Sequence, residues 1–404
     1  MRTTYLSRLF ASIHMKSCIS ASCIFLTVLL SACSMKDSKQ TLQELLAEYK
    51  EYSMRQYPEG ATYDGDHRYD DKLTDYSEKA IKGRFDSIRV FLEQANDISL
   101  SDLQGEDSLS LILFRKELSQ QLESEQFNLH FMPLTQQDGI HIGFPQIIEY
   151  HPFKTVEDYE HYISRLNAFP KQVNDVIDNM KKGMKAKIVS PGFSIQQVME
   201  QAYPFFTQDA DSLPFAKPLN EFPASFSEQQ KKLIRSKVLF AINESIIPAY
   251  YDLHMFLLFT YLNKARKVDG IHALPNGKQL YAYMIRKETT TELSPDSIYA
   301  LGLREVERID KEMQSVKDSL GFSGSVEEFR KALIKDPANF YSSKQPMMDE
   351  YRRILSIVDS KLSTLFGRLP SSPYDLKEIE QYRAVSAPQA YYYPRSEEHT
   401  SELQ

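Results

Sequence analysis

A mainly α-helical fold is predicted for this chain of 404 residues, and three observations predict it. Glycine is scarce, at 14 residues, and with 19 prolines that composition disfavours a turn-dense sandwich or propeller. Apolar residues recur at spacings of three and four along most of the chain, the period of a helix with one buried face. Ser or Thr followed three residues later by an acid or Gln precedes several of those runs, a helix-start signal. The composition, 42% hydrophobic and 25% charged with 24 Tyr and 23 Phe, excludes disorder. A net charge of −7 argues against nucleic acid as a partner.

In chain order, residues 1–32 read as an export signal. Met15-Lys16 gives a short positive start, and Met15 is a better initiator than Met1. The apolar run Ile19–Leu30 is too short to span a bilayer. It ends in Leu30-Ser31-Ala32-Cys33, which resembles the lipobox of bacterial lipoproteins. That resemblance implies cleavage before Cys33, lipidation of its thiol and a membrane anchor facing outward from the cytosol, with Ser34 favouring the outer membrane. Cys18 and Cys23 would leave with the signal, so the mature chain would hold no free thiol and no disulfide.

The next stripes predict helices. Leu42, Leu45, Leu46, Tyr49 and Tyr52 form the first, and Ile81, Phe85, Ile88 and Leu92 the second. A third helix is expected over Leu109–Leu122. Thr155 with Asp158 caps a helix from Val156 to Asn167, expected to stop at Pro170. Ser227 with Gln230 opens a long apolar helix from Glu228 to Ala265. Pro248 should kink or split it, and its second part, apolar all round, should be buried. Ser294-Pro295 opens a helix carrying Val306, Ile309, Met313, Val316 and Leu320. Ser325 with Glu328 caps another. Pro346 opens one with Tyr351, Ile354, Val358 and Leu362, closed near Gly367. The polar, Pro-containing stretch from Gln208 to Pro223 reads as a surface loop or subdomain boundary. Ile379–Val385 and Gln389–Tyr393 read as a few short strands near the C-terminus. The last ten residues, Arg395–Gln404, read as the in-frame translation of a sequencing adapter, which implies a genuine chain running beyond Pro394.

Spacing alone reveals no activity. His67, His130, His141, His151, His161, His254 and His272 include no compact ligand pair. His151 and His161, with Glu157, Asp158 and Glu160 between them, read as a solvated helix face rather than a metal cluster. His254, in an apolar run, reads as a hydrogen-bonded core residue. Asp64-Gly65-Asp66 with Asp70 and Asp71 lacks the ligand spacing of a calcium loop and reads as an acidic turn. No phosphate loop or nucleophile elbow is present. No catalytic and no metal-ligating residue is assigned.

Several segments, in order, are similar to the large bacterial family called domain of unknown function 885. They are Pro58-Glu59-Gly60-Ala61-Thr62 with Gly65 and Tyr69-Asp70-Asp71; His151-Pro152-Phe153-Lys154-Thr155 with Arg165-Leu166; and Leu274-Pro275-Asn276-Gly277-Lys278 with Tyr281-Ala282-Tyr283 and Thr289-Thr290. Leu301-Gly302-Leu303 with Glu305-Val306 follows, then Ala387-Pro388-Gln389-Ala390-Tyr391-Tyr392-Tyr393-Pro394. The likeness runs over Leu42–Pro394, within one incomplete helical domain expected over 33–394. It implies a fold like the N-terminal part of a helical gluzincin-type zinc metallopeptidase, with peptide as substrate and zinc as cofactor of the full-length parent. The zinc signature of such enzymes lies beyond the last matched segment, so the resemblance transfers no catalytic residue and implies a chain inactive as it stands. Tyr391, Tyr392 and Tyr393 are its candidates for a substrate-pairing edge. The alternative is a non-catalytic helical surface lipoprotein that binds a ligand or partner.

Overall fold

Capping and periodicity set the element order. The computed structural model describes residues 37–367 apart from Asp269, together with 369, 374–376, 378 and 379. Its α-helices are α1 (Ser38–Gln56), α2 (Pro58–Tyr63), α3 (Glu78–Asp97), α4 (Gly105–Glu125), α5 (Ile140–Gln146), α6 (Val156–Ala186) and α7 (Gly192–Ala202). There follow α8 (Pro204–Thr207), α9 (Glu228–Ala241), α10 (Ile247–Phe256), α11 (Gly277–Thr289), α12 (Pro295–Ser319), α13 (Val326–Lys335) and α14 (Lys344–Leu365). Among the described residues the one extended pairing is an isolated parallel bridge between Pro191 and Arg266. The mainly α class is thereby established. Cys33, the signal region 1–32, Tyr391, Tyr392, Tyr393, the segment 395–404 and the expected strands (Ile379 alone excepted) lie outside the described residues.

The chain divides into two compact units. One comprises the described residues up to Glu51 with Ile88–Ser119. Leu42, Ala95, Leu111 and Leu118 are buried there, and the Tyr49 ring meets Phe91 and Phe114 edge-on at 5.2 and 5.0 Å. Arg115 satisfies the carbonyls at the end of α3, donating to Ala95 O (2.8 Å) and Ile98 O (2.5 Å). The other unit comprises Tyr52–Ser87 and the described residues from Gln120 on. Its core centres on α6 and α10, where Phe144 stacks on Phe169 (4.2 Å) and Phe205 on Tyr250 (4.5 Å).

Three expectations are corrected by the fold. Helix α6 does not stop at Pro170 but runs on to Ala186 from its Thr155–Asp158 capping box. A proline inside a helix costs about 3 kcal/mol. Beyond it Val173, Val176, Ile177 and Met180 are buried, each contributing roughly 1.5–3 kcal/mol, so packing wins. At its end Lys187 turns the chain at φ 60°, and Ile188 N–H donates to Gly183 O at 2.8 Å. A Cβ on Gly183 would lie 2.5 Å from Ile188 O, so that position requires glycine.

Pro248 is accommodated at the start of α10 by a π-helical turn over Ile242–Ile246, which re-phases the chain around the missing N–H. The helix that follows is not buried all round. Tyr250 and Leu253 are buried, but Tyr251 and Phe259 face solvent. Nor is Gln208–Pro223 a surface loop or a boundary. Leu213, Phe215, Ala216 and Leu219 enter the core, and Tyr162 and Tyr159 hydroxyls donate to Phe215 O (2.8 Å) and Pro218 O (2.9 Å). Its polar residues hide four apolar ones at irregular spacing, which a composition reading averages away.

Helices α12–α14 form as predicted, from the Ser294 cap and the Ser325–Glu328 capping box. Their packing differs from that of α6. Lys317 is the one buried residue of α12, Phe329 the one of α13, and α14 has none.

Candidate functional site

The first matched segments converge on one buried cation. Arg165 lies in the middle of α6 with no solvent exposure. Its Nε donates to Lys72 O (2.8 Å), and Nη2 donates to Pro58 O (3.1 Å), Tyr69 O (3.3 Å) and Thr62 Oγ1 (2.6 Å). Its Nη1 lies 3.2 Å from His151 Nδ1, and Asp70, also buried, supplies the counter-charge at 3.8 Å. Thr62 Oγ1 donates in turn to Asp70 Oδ1 at 2.5 Å, and His67 Nδ1 meets Asp70 Oδ2 at 2.9 Å. Pro58, Thr62, Tyr69, Asp70, His151 and Arg165 are all residues of the matched segments.

The cluster fixes protonation states. Arg165 has donors only, so the Nδ1 facing it must accept, and His151 carries its proton on Nε2, which donates to Asp158 O at 2.8 Å. Burial pushes His151 down to about 4, and the Arg165 charge pushes the same way. Burial also lowers Arg165, opposed by Asp70 and Glu59. His151 is therefore a neutral buried strut and does not share a solvated face with His161, which sits half-exposed on α6 near Glu157. The acidic stretch is likewise occupied. Arg68 grips Asp66 and holds its carboxyl below the usual range, while Asp70 serves Arg165.

Helix α6 extends this grip in a way the sequence reading missed. Arg165, Gln172 and Asn179 are seven residues apart, two turns each, on one face. They donate to carbonyls of alternate residues in the extended stretch after α2: Lys72, Thr74 (3.1 Å) and Tyr76 (2.8 Å). Gln172 also donates to Glu59, whose carboxylate accepts from Thr74 N–H and hydroxyl. Three polar residues within an apolar stripe were the available signal.

The later matched segment folds differently. Gly277 opens α11 against Ile271 and His272, too close for a Cβ. Leu280 and Tyr283 pack with Phe127 and Leu274, the Tyr283 hydroxyl donates to Gln120 O (3.0 Å), and Arg286 pairs with Glu123. Tyr281, two residues from Tyr283, is exposed. So one tyrosine of the Tyr281-Ala282-Tyr283 segment anchors the helix and the other faces outward.

Chemically, the Arg165 cluster positions and does not react, because no part of Arg165 meets solvent. Among the described residues no group of three or more His, Cys, Asp and Glu is placed to hold a metal ion, so those residues do not fit the zinc implied by the resemblance. His254 is not the hydrogen-bonded core residue expected: it is half-buried against Phe206 (5.0 Å) and Tyr203 (5.9 Å), and its Nδ1 has no partner. His141 is buried, meets Gln201 at 3.1 Å and is pushed by burial down to about 4. No helix among the described residues is long and apolar enough to cross a membrane.

A family model, bacterial protein of unknown function DUF885, matches residues 58–403. The chain belongs to the DUF885 family. Its fold is shared with a candidate lipoprotein of Colwellia psychrerythraea, at a TM-score of 0.80 and 22% identity over 89% of this chain. A candidate lipoprotein of unknown function from Shewanella oneidensis gives a TM-score of 0.58 at 15% identity, also over 89% of this chain. This DUF885 chain covers 66% and 64% of those two chains, under two thirds of each. No curated protein matches it.

Proposed function

We propose that the chain is the helical body of an exported, lipid-anchored envelope hydrolase of peptidase type. Within that protein it supplies scaffold and substrate-facing surface rather than the zinc centre. The observation that carries the reading is the division of the DUF885 segments. Those around Thr62, Asp70, His151 and Arg165 are locked inside as fully bonded structure. Those at Tyr281 and at Leu301–Val306 leave side chains in solvent. The lipobox-like Leu30-Ser31-Ala32-Cys33 and the two candidate lipoproteins support the envelope anchor. Tyr391, Tyr392 and Tyr393 are proposed to pair with the peptide backbone, zinc belongs to the parent, and peptide is its substrate.

The test is to sequence the locus past the codon for Pro394, express the resulting protein in its native envelope, and measure peptide hydrolysis and the mass of the Cys33 peptide. A diacylated Cys33 with zinc-dependent cleavage by the longer protein is expected, and none by this chain. A frame that closes without a His-Glu motif sinks the hydrolase reading, and an unmodified Cys33 sinks the anchor. The non-catalytic alternative draws on the full occupancy of the described acids and histidines around Arg165 by structural partners.

A further inference from the structure

Among the described residues, helices α12 and α14 expose apolar stripes of the kind that α6 buries. On α12 and its C-cap, Leu303, Val306, Ile309, Val316 and Leu320 recur at helical spacing and are 43–67% exposed. On α14, Tyr351, Ile354, Val358 and Leu365 repeat the pattern at 43–74%. Between α12 and α13 runs an open groove of about 820 Å³, with Leu303, Val306, Met313 and Val326 on its walls. The charged residues around it are largely engaged among themselves: Lys311 holds Glu307, and Arg330 meets Glu327. Among the described residues no cation pairs with Asp310 on the groove wall. Solvent is a poor neighbour for apolar stripes of this kind.

We propose that this surface is an intramolecular docking face, and that its occupant is the additional chain carried by longer proteins of this fold. The inference rests on the reading above, that this polypeptide is part of a longer protein. Two observations select that occupant over a second copy or a foreign partner. The fold match spans 89% of this chain but only 66% of the Colwellia protein, so relatives with the same helical body carry about half as much chain again. Also, Leu301-Gly302-Leu303 and Glu305-Val306, segments of the family resemblance, lie on α12 itself. A shared surface of this kind fits a shared segment of the same polypeptide. The chemistry of the groove specifies an apolar helix face bearing one Lys or Arg opposite Asp310.

The experiment compares this chain with the longer product of its locus, each with and without Val306→Glu and Ile354→Glu. In this chain both substitutions leave Tm unchanged, because the side chains already face water. In the longer protein each lowers Tm by about 5 °C or more, since a carboxylate would be buried in an apolar contact. Light scattering on both proteins reads the competing occupant. A dimer of this chain that Val306→Glu dissociates assigns the face to a second copy and overturns the proposal. Insensitivity of the longer protein to both substitutions overturns it too, as does a locus that encodes no further chain. Zinc-dependent cleavage by a longer protein indifferent to both substitutions would reject the docking face while leaving the hydrolase reading intact.

Discussion

Helix α6 and helices α12–α14 are built from the same sequence pattern and end in opposite environments. Each has apolar residues three and four apart, and α6, α12 and α13 have a side-chain cap at the start. On α6 the stripe is buried from Tyr159 to Met180, and the polar residues set into it reach specific carbonyls. On α12 and α14 the equivalent stripe meets solvent. Periodicity therefore specifies a helix and the face it offers, but not what covers that face. The mark of a face already covered is a polar residue inside the stripe. Arg165, Gln172 and Asn179 would be costly there without partners, and nothing comparable interrupts Val306, Ile309, Met313 and Val316.

The sharpest way to break the comparison is at its buried end. Arg165→Ala leaves Asp70 buried without its cation and strips a donor from three carbonyls. A loss of about 3–5 kcal/mol is expected in urea unfolding, or failure to fold. Arg165→Lys should rescue little, because a point cation cannot serve Lys72 O, Thr62 and His151 together. A loss under 1 kcal/mol would show that the cluster is not the structural centre.

Acid should act on the same region. His141 and His151 sit near 4 when folded against about 6.5 when unfolded, so the unfolded state binds more protons between those values. Their contribution is fully present above about pH 6.5 and is lost as pH falls toward 4, with an upper bound of roughly 3 kcal/mol for each. The urea midpoint should fall steadily from pH 7 to pH 4.5. A flat profile would mean that neither ring is buried as described.

Smaller effects grade the two ends. Asn179→Ala should cost about 1–2 kcal/mol by leaving Tyr76 O without its donor, measured as a Tm shift with circular dichroism intact. Val306→Ser and Ile354→Ser in this chain should stay within about 0.5 kcal/mol of the parent, as exposed positions do. A cost above 1 kcal/mol for either would show that the α12 or α14 stripe is already covered.

The sequence carried the helical class, the caps at Thr155, Ser227, Ser294 and Ser325, and the ordered segments of the family. It did not carry the passage of α6 through Pro170, because a proline reads as a local stop and the burial that overrides it comes from elsewhere in the chain. It also missed the insertion of Gln208–Pro223. There the carbonyls of Phe215 and Pro218 are held by tyrosine hydroxyls more than fifty residues away, and no window of sequence contains that contact. The quoted segments of DUF885 were legible as a set, yet their division into an inner cluster around Arg165 and an outward face at Tyr281 required the fold. His151 shows why: in sequence it precedes the acids Glu157, Asp158 and Glu160, and in space it meets Arg165 and the Tyr162 ring.

The central claim is that one polypeptide holds a finished core around α6 and an unfinished face on α12 and α14. Native-state hydrogen exchange on this chain tests it most directly. The account predicts that amides of residues 172–183 exchange only by global unfolding, while those of 300–316 and 350–362 exchange at least about 100-fold faster. Equal protection across the three segments would contradict it.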